Sequence, residues 1–491
     1  MTTASPDPAP SGASPGAAAR PASAASPTSP AAGAAAESAE GTLKAFGYDQ
    51  ELKRSLSLAD LVIYGLVFMV PIAPFTIFGV VFNGSKGMVA LTYVIGLVAM
   101  LFTALSYREM SRAFPIAGSV YAYAGRGIND KVGFLAGWAI LLDYLLVPTL
   151  LYVMSAAALN SLLPAVPQWA WVVVFVLVNT VINFLGIEST ARLNRLFLVA
   201  ELVVLALFVG FGLAAVAQGK NGAHFSFDPL LKPGLLTPGL IFGALSIAVL
   251  SFLGFDGIST LSEEVRDSGR RIVGRATVVA LCLVAVLFVV QTWVAALLVP
   301  GKTEFAGDDA TNSAFYDIAQ IAGGHWLKVT VAVAAALATG IANSLVAQAA
   351  TSRLLFSMAR DRKLPAFLAH IHPTRKTPER AILFVAVISL ILGLFFTGQI
   401  DVLSSLVNFG ALFSFLLLHV AVFVHFKLRN RSTRWGLHIA APAIGFLIIG
   451  SVLWNADARA KIGGVCWLVL GVLVMLFYRR SGRGTDLKLE D

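Results

Sequence analysis

Charged residues are scarce in this sequence. Only 13% of its 491 residues are Asp, Glu, Lys or Arg, whereas 57% are apolar. Soluble globular proteins carry roughly a quarter charged residues, so this chain has too little polar surface to be an ordinary soluble enzyme. Its apolar residues fall instead into about twelve runs of about 20 residues, the length that crosses roughly 30 Å of hydrocarbon as a helix. The composition predicts an all-α polytopic membrane protein with about 12 transmembrane helices.

Sequence motifs of common enzymes and metal proteins are also missing. The two cysteines, Cys282 and Cys466, lie in separate apolar runs, so the chain has neither a disulfide framework nor a CxxC metal pair. It contains no GxxxxGK[ST] phosphate-binding loop and no HExxH zinc motif. ATP-driven pumping by this chain and the commonest hydrolases are therefore without support, and we expect neither a cofactor nor a bound metal.

Residues 1–45 differ in composition from the rest of the chain. They are almost entirely Ala, Pro, Ser and Gly, with almost no large apolar residue before Leu43. Such a segment cannot bury enough apolar surface to offset the entropy lost on ordering, so we expect a disordered tail. It has no basic stretch followed by an apolar stretch and therefore does not read as a signal peptide.

The apolar runs define twelve predicted spans, numbered here in chain order. Counted with the adjoining ends of the spans, the loops after spans 2, 4, 6, 8 and 10 hold 21 Lys and Arg, and the loops after the odd-numbered spans hold 7. Basic loops stay in the cytoplasm, so we expect both termini there. The net charge of +9 is explained as an orientation signal, with no role in binding nucleic acid. The predicted spans are 58–82, 87–107, 132–162, 168–185, 191–217, 238–262, 276–299, 328–351, 380–397, 401–425, 437–455 and 464–478.

Spans 1 and 6 contain residues that break helices. Span 1 has Pro71 and Pro74 at its centre, and each proline removes a backbone donor and obstructs the helix. In span 6, Gly254 and Gly257 bracket Asp256. Interrupted spans at matching positions of two halves indicate a transporter built from inverted repeats, with its substrate site at the midplane between the breaks. The alternative is a proline kink in one helix and glycine packing in the other.

Three carboxylates lie inside predicted spans and away from their ends, namely Asp143, Glu201 and Asp256. Each costs about 2.5–3.5 kcal/mol at the bilayer centre on insertion scales, so each is a candidate functional residue. No Lys or Arg lies in a span core, so the charge has to be removed by protonation or balanced by half-helix ends or a bound cation. Proton coupling through these three residues is one hypothesis. The other is that a carboxyl stays protonated and only hydrogen-bonds a neighbouring helix.

Several longer stretches carry a family resemblance. They are LFTALSYREMSRAFPIAGSVYAYAGRGI in and after span 2, GWAILLDYLLVP in span 3, SFLGFDGISTLSEEVRD in and after span 6, SRLLFSMARDRKLPAFLAHIHPTRKTP after span 8 and LVNFGALFSF in span 10. Because these stretches occur together and in this order, the chain resembles the amino acid–polyamine–organocation permeases, and among them most closely the bacterial putrescine importers. The resemblance extends from about Lys53 to Tyr478.

The resemblance implies a five-plus-five inverted repeat followed by two extra helices, in the cell membrane. We accordingly expect a transporter domain at 46–485, with repeat 1 at 57–217, repeat 2 at 238–426 and the extra helices at 437–480, and a cytoplasmic C-terminal tail at 481–491. The implied function is the import of a small amine-bearing metabolite by alternating access, coupled to protons.

The resemblance also implies a substrate site walled by spans 1, 3, 6, 8 and 10. The two breaks would supply backbone groups, and Phe252 and Phe255 look like aromatic gating or stacking positions. Glu201 matches a position where proton-coupled relatives carry a lysine, so this chain inverts the charge of the coupling group. The implied substrate contacts are Met69, Val70, Pro71, Ile72, Ala73, Phe75, Thr76, Asp143, Tyr144, Ser251, Phe252, Gly254, Phe255 and Asp256.

The simplest interpretation of SEEVRDSGRR, which follows span 6, is a solvated loop. Its acids have Arg112, Arg126 and Arg360 as candidate partners at the inner mouth of the transporter.

Two substrate classes remain open. An amino acid carboxylate is normally held by N–H groups in a glycine-rich break, whereas span 1 has two prolines and no glycine between Gly65 and Gly79. Core carboxylates without a core base favour a cationic amine such as putrescine. Against this, the putrescine importers carry an acidic residue where this chain has Thr76, which favours a shorter amine or a neutral amino acid. An ion channel, the alternative of another class, would also place carboxylates in a pore.

Overall fold

A computed structural model describes residues 43–480 apart from 45, 164, 233, 236, 238, 241–243, 246–247, 267–270, 398 and 457. The predicted tails 1–45 and 481–491 therefore lie outside the described residues, except for Leu43 and Lys44. Regular structure in the described part is helical, and its one β feature is an isolated bridge between Leu56 and Val265. The all-helical prediction is confirmed for these residues.

Within the described residues, eight helices are long and apolar enough to cross a membrane, and nine if one bent pair counts as a single span. This confirms a polytopic membrane protein. The helix ends agree with the predicted spans to within a few residues, except that the helices of spans 2, 8 and 12 extend further and that span 6 forms no long α-helix in its described residues. The α-helices are Leu58–Met69, Pro74–Gly84, Val89–Ala113, Ser119–Gly127, Asp130–Leu162, Gln168–Phe184, Ile187–Ala217, Ile272–Leu297, Asp308–Gly323, His325–Leu337, Ser344–Arg360, Glu379–Phe395, Ile400–Val422, Ala441–Trp454 and Ala458–Arg480.

Span 1 is broken at its centre, as its prolines predict. The helix Leu58–Met69 ends at Val70, whose φ of +54° is an outlier for a β-branched residue. Pro71 has no N–H to continue the helix, and Pro74 begins the second half, Pro74–Gly84. The two halves are bent by 56°, which leaves the backbone between them free to line a cavity.

In span 6, the described residues before Val249 include helical ones, and two 3₁₀ segments follow them, Val249–Phe252 and Phe255–Glu264. They are separated at Gly254, whose φ is +117°. A Cβ at this position would lie 2.9 Å from the Phe68 ring and 3.0 Å from its carbonyl oxygen. Both the backbone angle and the close approach require glycine, so the breaks of spans 1 and 6 pack directly against each other.

Span 8 also departs from regular α-helix. His325–Leu337 and Ser344–Arg360 are joined by a π-helical segment, Ala338–Asn343. π-Helical turns are rare and concentrate at functional sites. Gly340 in this segment packs against span 3, since a Cβ there would lie 2.7 Å from the Ser155 side chain.

Candidate functional site

A cavity of about 100 Å³, called here the inner cavity, lies between the two breaks. Spans 1, 3, 6, 8 and 10 all contribute to its wall. Of the residues expected from the sequence, nine line it and lie together: Met69, Val70, Ala73, Thr76, Asp143, Tyr144, Ser251, Gly254 and Asp256.

One end of the inner cavity is acidic. Asp143 and Asp256 are both almost fully buried, at 3% and 1% exposure. The Tyr144 hydroxyl donates to Asp256 Oδ2 at 2.6 Å, and the Gly254 N–H donates to Oδ1 at 3.3 Å. Asp143 Oδ1 is buried and has no hydrogen-bond partner among the described residues. Because an unpaired buried acceptor is costly, this oxygen indicates a place for a donor such as an ammonium group.

The π-helical segment of span 8 contributes two polar residues to the site that were not predicted from the sequence. Thr339 and Asn343 line the inner cavity, and Asn343 Oδ1 is buried without a partner in the described part of the chain. Their spacing of four residues, which places two polar side chains on one face of an apolar helix, is the signal that was available in the sequence.

The break of span 1 offers few free N–H groups. The Ala73 N–H donates to Val70 O at 2.8 Å, the Phe75 N–H to Ile72 O at 2.9 Å, and the Thr76 N–H to Ala73 O at 3.2 Å. Pro71 and Pro74 have no N–H. A carboxylate would therefore find little of the donor array that half-helix N-termini normally provide.

A buried glutamine on span 7, also missed from the sequence, supports this break. Gln291 Nε2 donates to Pro71 O at 2.8 Å and to Leu287 O at 2.8 Å, and the side chain is fully buried. It thus satisfies a carbonyl that the broken helix leaves unpaired. The Oε1 atom of Gln291 has no hydrogen-bond partner in the described part of the chain.

Five expected contact residues do not line the inner cavity. Pro71 and Ile72 belong to the break but are absent from the cavity wall. Phe75 stacks on Phe315, with ring centroids 4.2 Å apart, and contacts Phe208. Phe252 and Phe255 are also absent from the cavity wall. A direct role of these five residues in substrate binding stays a prediction.

Phe252 and Phe255 are absent from the cavity wall, although their neighbours in span 6 belong to it. Leu250, Ser251, Leu253, Gly254 and Asp256 line the inner cavity. The rings of Phe252 and Phe255 pack into aromatic clusters with Tyr93 and Phe288, and with Tyr107 and Phe415, respectively.

A second, larger cavity of about 890 Å³, called here the outer cavity, adjoins the inner one. Thr76, Ile77, Met154, Leu250 and Thr339 line both cavities and form a neck between them. The outer cavity leads towards the ends of spans 1, 3 and 10 that are remote from residues 46–56. Its polar side chains include Ser155, Asn312, Tyr316, Ser404, Ser405, Asn408 and Arg459.

The opposite end of the bundle, at which residues 46–56 lie, is called here the N-terminal face, and it is closed by ion pairs. Glu263 accepts from Arg360 Nη2 and Nη1 at 2.8 and 2.9 Å, and Glu264 pairs with Arg353. Both glutamates are 1% exposed. The expectation of a solvated loop is therefore wrong for Glu263 and Glu264, because span 6 continues as a buried 3₁₀ segment through them. Residues 267–270 of that stretch lie outside the described part.

For Glu263 and Glu264, the acids of this stretch that the structure describes, Arg360 is the expected partner that forms an ion pair. Arg112 pairs instead with Glu109, at 3.3 Å, on its own helix. Arg126 donates to Phe46 O at 3.0 Å and lies over the rings of Phe46 and Tyr48.

The N-terminal segment forms a strap over this closed face. The Tyr48 hydroxyl donates to Asp361 Oδ1 at 2.9 Å, and the Arg360 guanidinium lies 4.0 Å from the centre of the Tyr48 ring. Burial raises the pKa of Tyr48 to about 12, so it remains a donor. The N–H groups of Ser55 and Leu56 both donate to Glu264 O at 3.0 Å.

Glu201 lies apart from both cavities. It is 3% exposed in the helix of span 5, and neither carboxylate oxygen has a hydrogen-bond partner in the described structure. A buried carboxylate without partners is strongly disfavoured, which indicates that this carboxyl is protonated. Among the described residues, no group of His, Cys, Asp and Glu is arranged to hold a metal ion.

The chain is similar to known permeases and transporters over most of its length. The amino acid permease family model matches residues 57–482. The low-affinity putrescine importer PlaP of Escherichia coli K12 is 31% identical over 447 residues, which cover 90% of this chain and 97% of PlaP. The branched-chain amino acid permease BcaP of Bacillus subtilis is 26% identical over 469 residues, covering 91% and 97%. The methylthioribose transporter of the same organism is 26% identical over 466 residues, covering 90% and 96%.

Proposed function

The chain belongs to the amino acid permease family, so it is a transporter rather than an enzyme, and we propose that it imports a small amine-bearing metabolite across the cell membrane by alternating access. The observation that carries the amine is the buried pair Asp143 and Asp256 in a cavity whose described lining contains no basic residue. PlaP, the relative named as a putrescine importer, supports this substrate class.

Alternating access requires one end of the site to be open while the other is closed. The outer cavity gives access to the inner cavity through the neck, whereas Glu263–Arg360 and Glu264–Arg353 close the N-terminal face. The basic loops favour a cytoplasmic location for that face and for both termini. In this assignment the structure is an outward-facing state, and inward opening would break the two ion pairs.

We assign the architecture as 12 spans with a five-plus-five inverted repeat, at 57–217 and 238–426, followed by the extra helices at 437–480. Each repeat would begin with a broken span, at Val70–Ala73 and Gly254. Each also has a short helix before its long third span, Ser119–Gly127 before Asp130–Leu162 and Asp308–Gly323 before His325–Arg360. Such correspondence is expected when two repeats of one unit are related by inversion.

Proton coupling is proposed through Glu201, Asp143 and Asp256. Glu201 is the strongest candidate for the carrier because it is buried, unpaired and outside both cavities. Asp143 and Asp256 would exchange protons only when the substrate ammonium leaves them. A protonated carboxyl can cross the bilayer without carrying charge, whereas an ionised one is costly there.

An amino acid is the second candidate substrate. It is favoured by the similarity to BcaP, which is named as a branched-chain amino acid permease. The apolar side chains that line much of the inner cavity also favour it. Against it stand the occupied N–H groups of the span 1 break and the absence of a basic residue from the described lining of that cavity.

Uptake into proteoliposomes tests the proposed function. The purified chain is expected to accumulate at least one labelled polyamine or amine above the level in empty liposomes, and an inward proton gradient is expected to increase this accumulation. The measurement is uptake across a panel of radiolabelled amines and amino acids, with and without the gradient. Currents through single open channels, without counterflow of any labelled substrate, would contradict a transporter and indicate a channel.

Asp143→Asn is expected to weaken the binding of an amine about 10- to 100-fold, because a hydrogen bond to a charged group contributes about 1.5–3 kcal/mol. The binding of a neutral amino acid should change less than threefold if its ammonium is held by Asp256 instead. Competition against labelled substrate measures both affinities. Equal losses for the two substrate classes would remove the ionic role assigned to Asp143.

A further inference from the structure

The inner cavity has one charged end only. Along span 3, Asp143, Val147, Leu150, Leu151 and Met154 all line it. These positions follow one face of the helix, and a rise of about 1.5 Å per residue places Met154 about 16 Å beyond Asp143. Since Met154 also lines the outer cavity, this face runs from the carboxylates to the neck, and after Asp143 and its neighbour Tyr144 it is apolar.

The remaining walls of the outward half are uncharged as well. Thr76, Thr339 and Asn343 supply hydroxyl and amide groups, and Leu250 and Ile77 are apolar. Among the described residues that line either cavity, Asp143 and Asp256 are the acidic ones.

We propose, on the basis of the proposed amine transport, that the preferred substrate is a primary monoamine with an apolar tail rather than a diamine or an amino acid. Its ammonium group occupies the acidic end between Asp256 and the unpaired Oδ1 of Asp143. Its tail lies along Val147 and Leu150 and extends to the neck.

The same geometry explains why a diamine fits less well. The two nitrogens of a four-carbon diamine are separated by about 6 Å, which equals about four residues of helical rise. With one ammonium at Asp143, the second would therefore lie beside Val147 and Leu150. An ammonium group removed from water without a carboxylate partner is strongly disfavoured, and Thr76 supplies no charge there.

An amino acid fits less well for a different reason. Its carboxylate would lie next to the ammonium, close to Asp143 and Asp256, where like charges repel. The N–H groups of Ala73, Phe75 and Thr76 are already bonded within the break, so these three groups of span 1 do not offset that repulsion.

Four probes in matched pairs test the inference by isothermal titration calorimetry on the purified full chain. n-Butylamine and putrescine differ by one amino group, and isoamylamine and leucine differ by one carboxylate. We expect n-butylamine to bind at least about tenfold more tightly than putrescine, and isoamylamine at least about tenfold more tightly than leucine.

A variant at the neck gives an independent readout. Thr76→Glu places a carboxylate at the outward end, so it should improve putrescine binding at least about tenfold relative to n-butylamine. Thr76→Gln measures the effect of side-chain size alone, and it should leave the preference for n-butylamine in place. If Glu and Gln shift the preference equally, charge at the outward end does not decide it and the inference is wrong.

The outcomes separate this inference from the proposed function. If putrescine binds the unaltered chain as tightly as n-butylamine or more tightly, the monoamine inference is wrong but amine transport stands. If leucine binds and no amine does, amine transport itself is wrong. If none of the four probes binds at millimolar concentration, the monoamine inference is overturned and the uptake panel decides the transport function.

Discussion

Asp256→Asn is expected to abolish substrate uptake, with a loss of at least about 100-fold. Asp256 closes the acidic end of the inner cavity, where it accepts hydrogen bonds from Tyr144 and from the Gly254 N–H. Asparagine keeps the size of the side chain but removes the charge that balances a substrate ammonium, and removal of one partner from a buried ion pair costs about 3–5 kcal/mol. Initial rates of uptake under an inward proton gradient measure the effect.

The matched control for this variant is Asp228→Asn, which makes the same chemical change at an exposed loop position. It should transport like the unaltered chain. Thermal unfolding of both purified variants shows whether a lost rate reflects the site or a folding defect. Uptake by a well-folded Asp256→Asn variant at the unaltered rate would make Asp256 a structural residue and contradict the proposed site.

Glu201→Gln is expected to abolish accumulation against a gradient while exchange of substrate across the membrane continues within about twofold. A gradient of one pH unit supplies about 1.4 kcal/mol per proton, which drives about tenfold accumulation when one proton moves with each substrate. Glutamine keeps hydrogen-bonding capacity but cannot carry a proton, so the accumulation ratio should fall to about one. Because Glu201 lines neither cavity, substrate affinity should be retained.

Glu304→Gln is the control for this variant, since the Glu304 side chain is 62% exposed and pairs with Lys86 on the surface. It should accumulate substrate normally. If Glu201→Gln still accumulates substrate with unchanged pH dependence, the carrier hypothesis fails. The proton would then move through Asp143, Asp256 or no protein carboxylate.

The helical layout follows from local sequence to a large extent. Apolar runs of membrane-crossing length predict the helices, because a backbone in hydrocarbon has to satisfy its own hydrogen bonds. The breaks are local as well. In span 1, Pro71 and Pro74 lack the N–H donors that a continuous helix needs. In span 6, Gly254 has a φ of +117°, which residues other than glycine rarely adopt. The tertiary structure adds the contact between Gly254 and Phe68 that brings the two breaks together.

The site was less accessible to sequence reasoning. Asp143, Tyr144 and Asp256 were expected at the substrate and lie together. Thr339, Asn343 and Gln291 were missed, because each is an ordinary polar residue in its own span and only packing brings it to a break. Phe252 and Phe255 were expected at the cavity, but they pack into aromatic clusters with rings of other spans and are absent from the cavity wall.

The sequence by itself thus determines that this chain crosses a membrane as helices, where two of those helices break, and which carboxylates lie inside the predicted spans. These properties depend on hydropathy, missing N–H groups and backbone angles, all of which are local. The tertiary structure decides which side chains face the cavity, that Glu263 and Glu264 are buried ion-pair partners, and that the part of the inner cavity next to the neck is uncharged. These depend on how each helix is rotated about its axis, which is set by packing against helices remote in the chain.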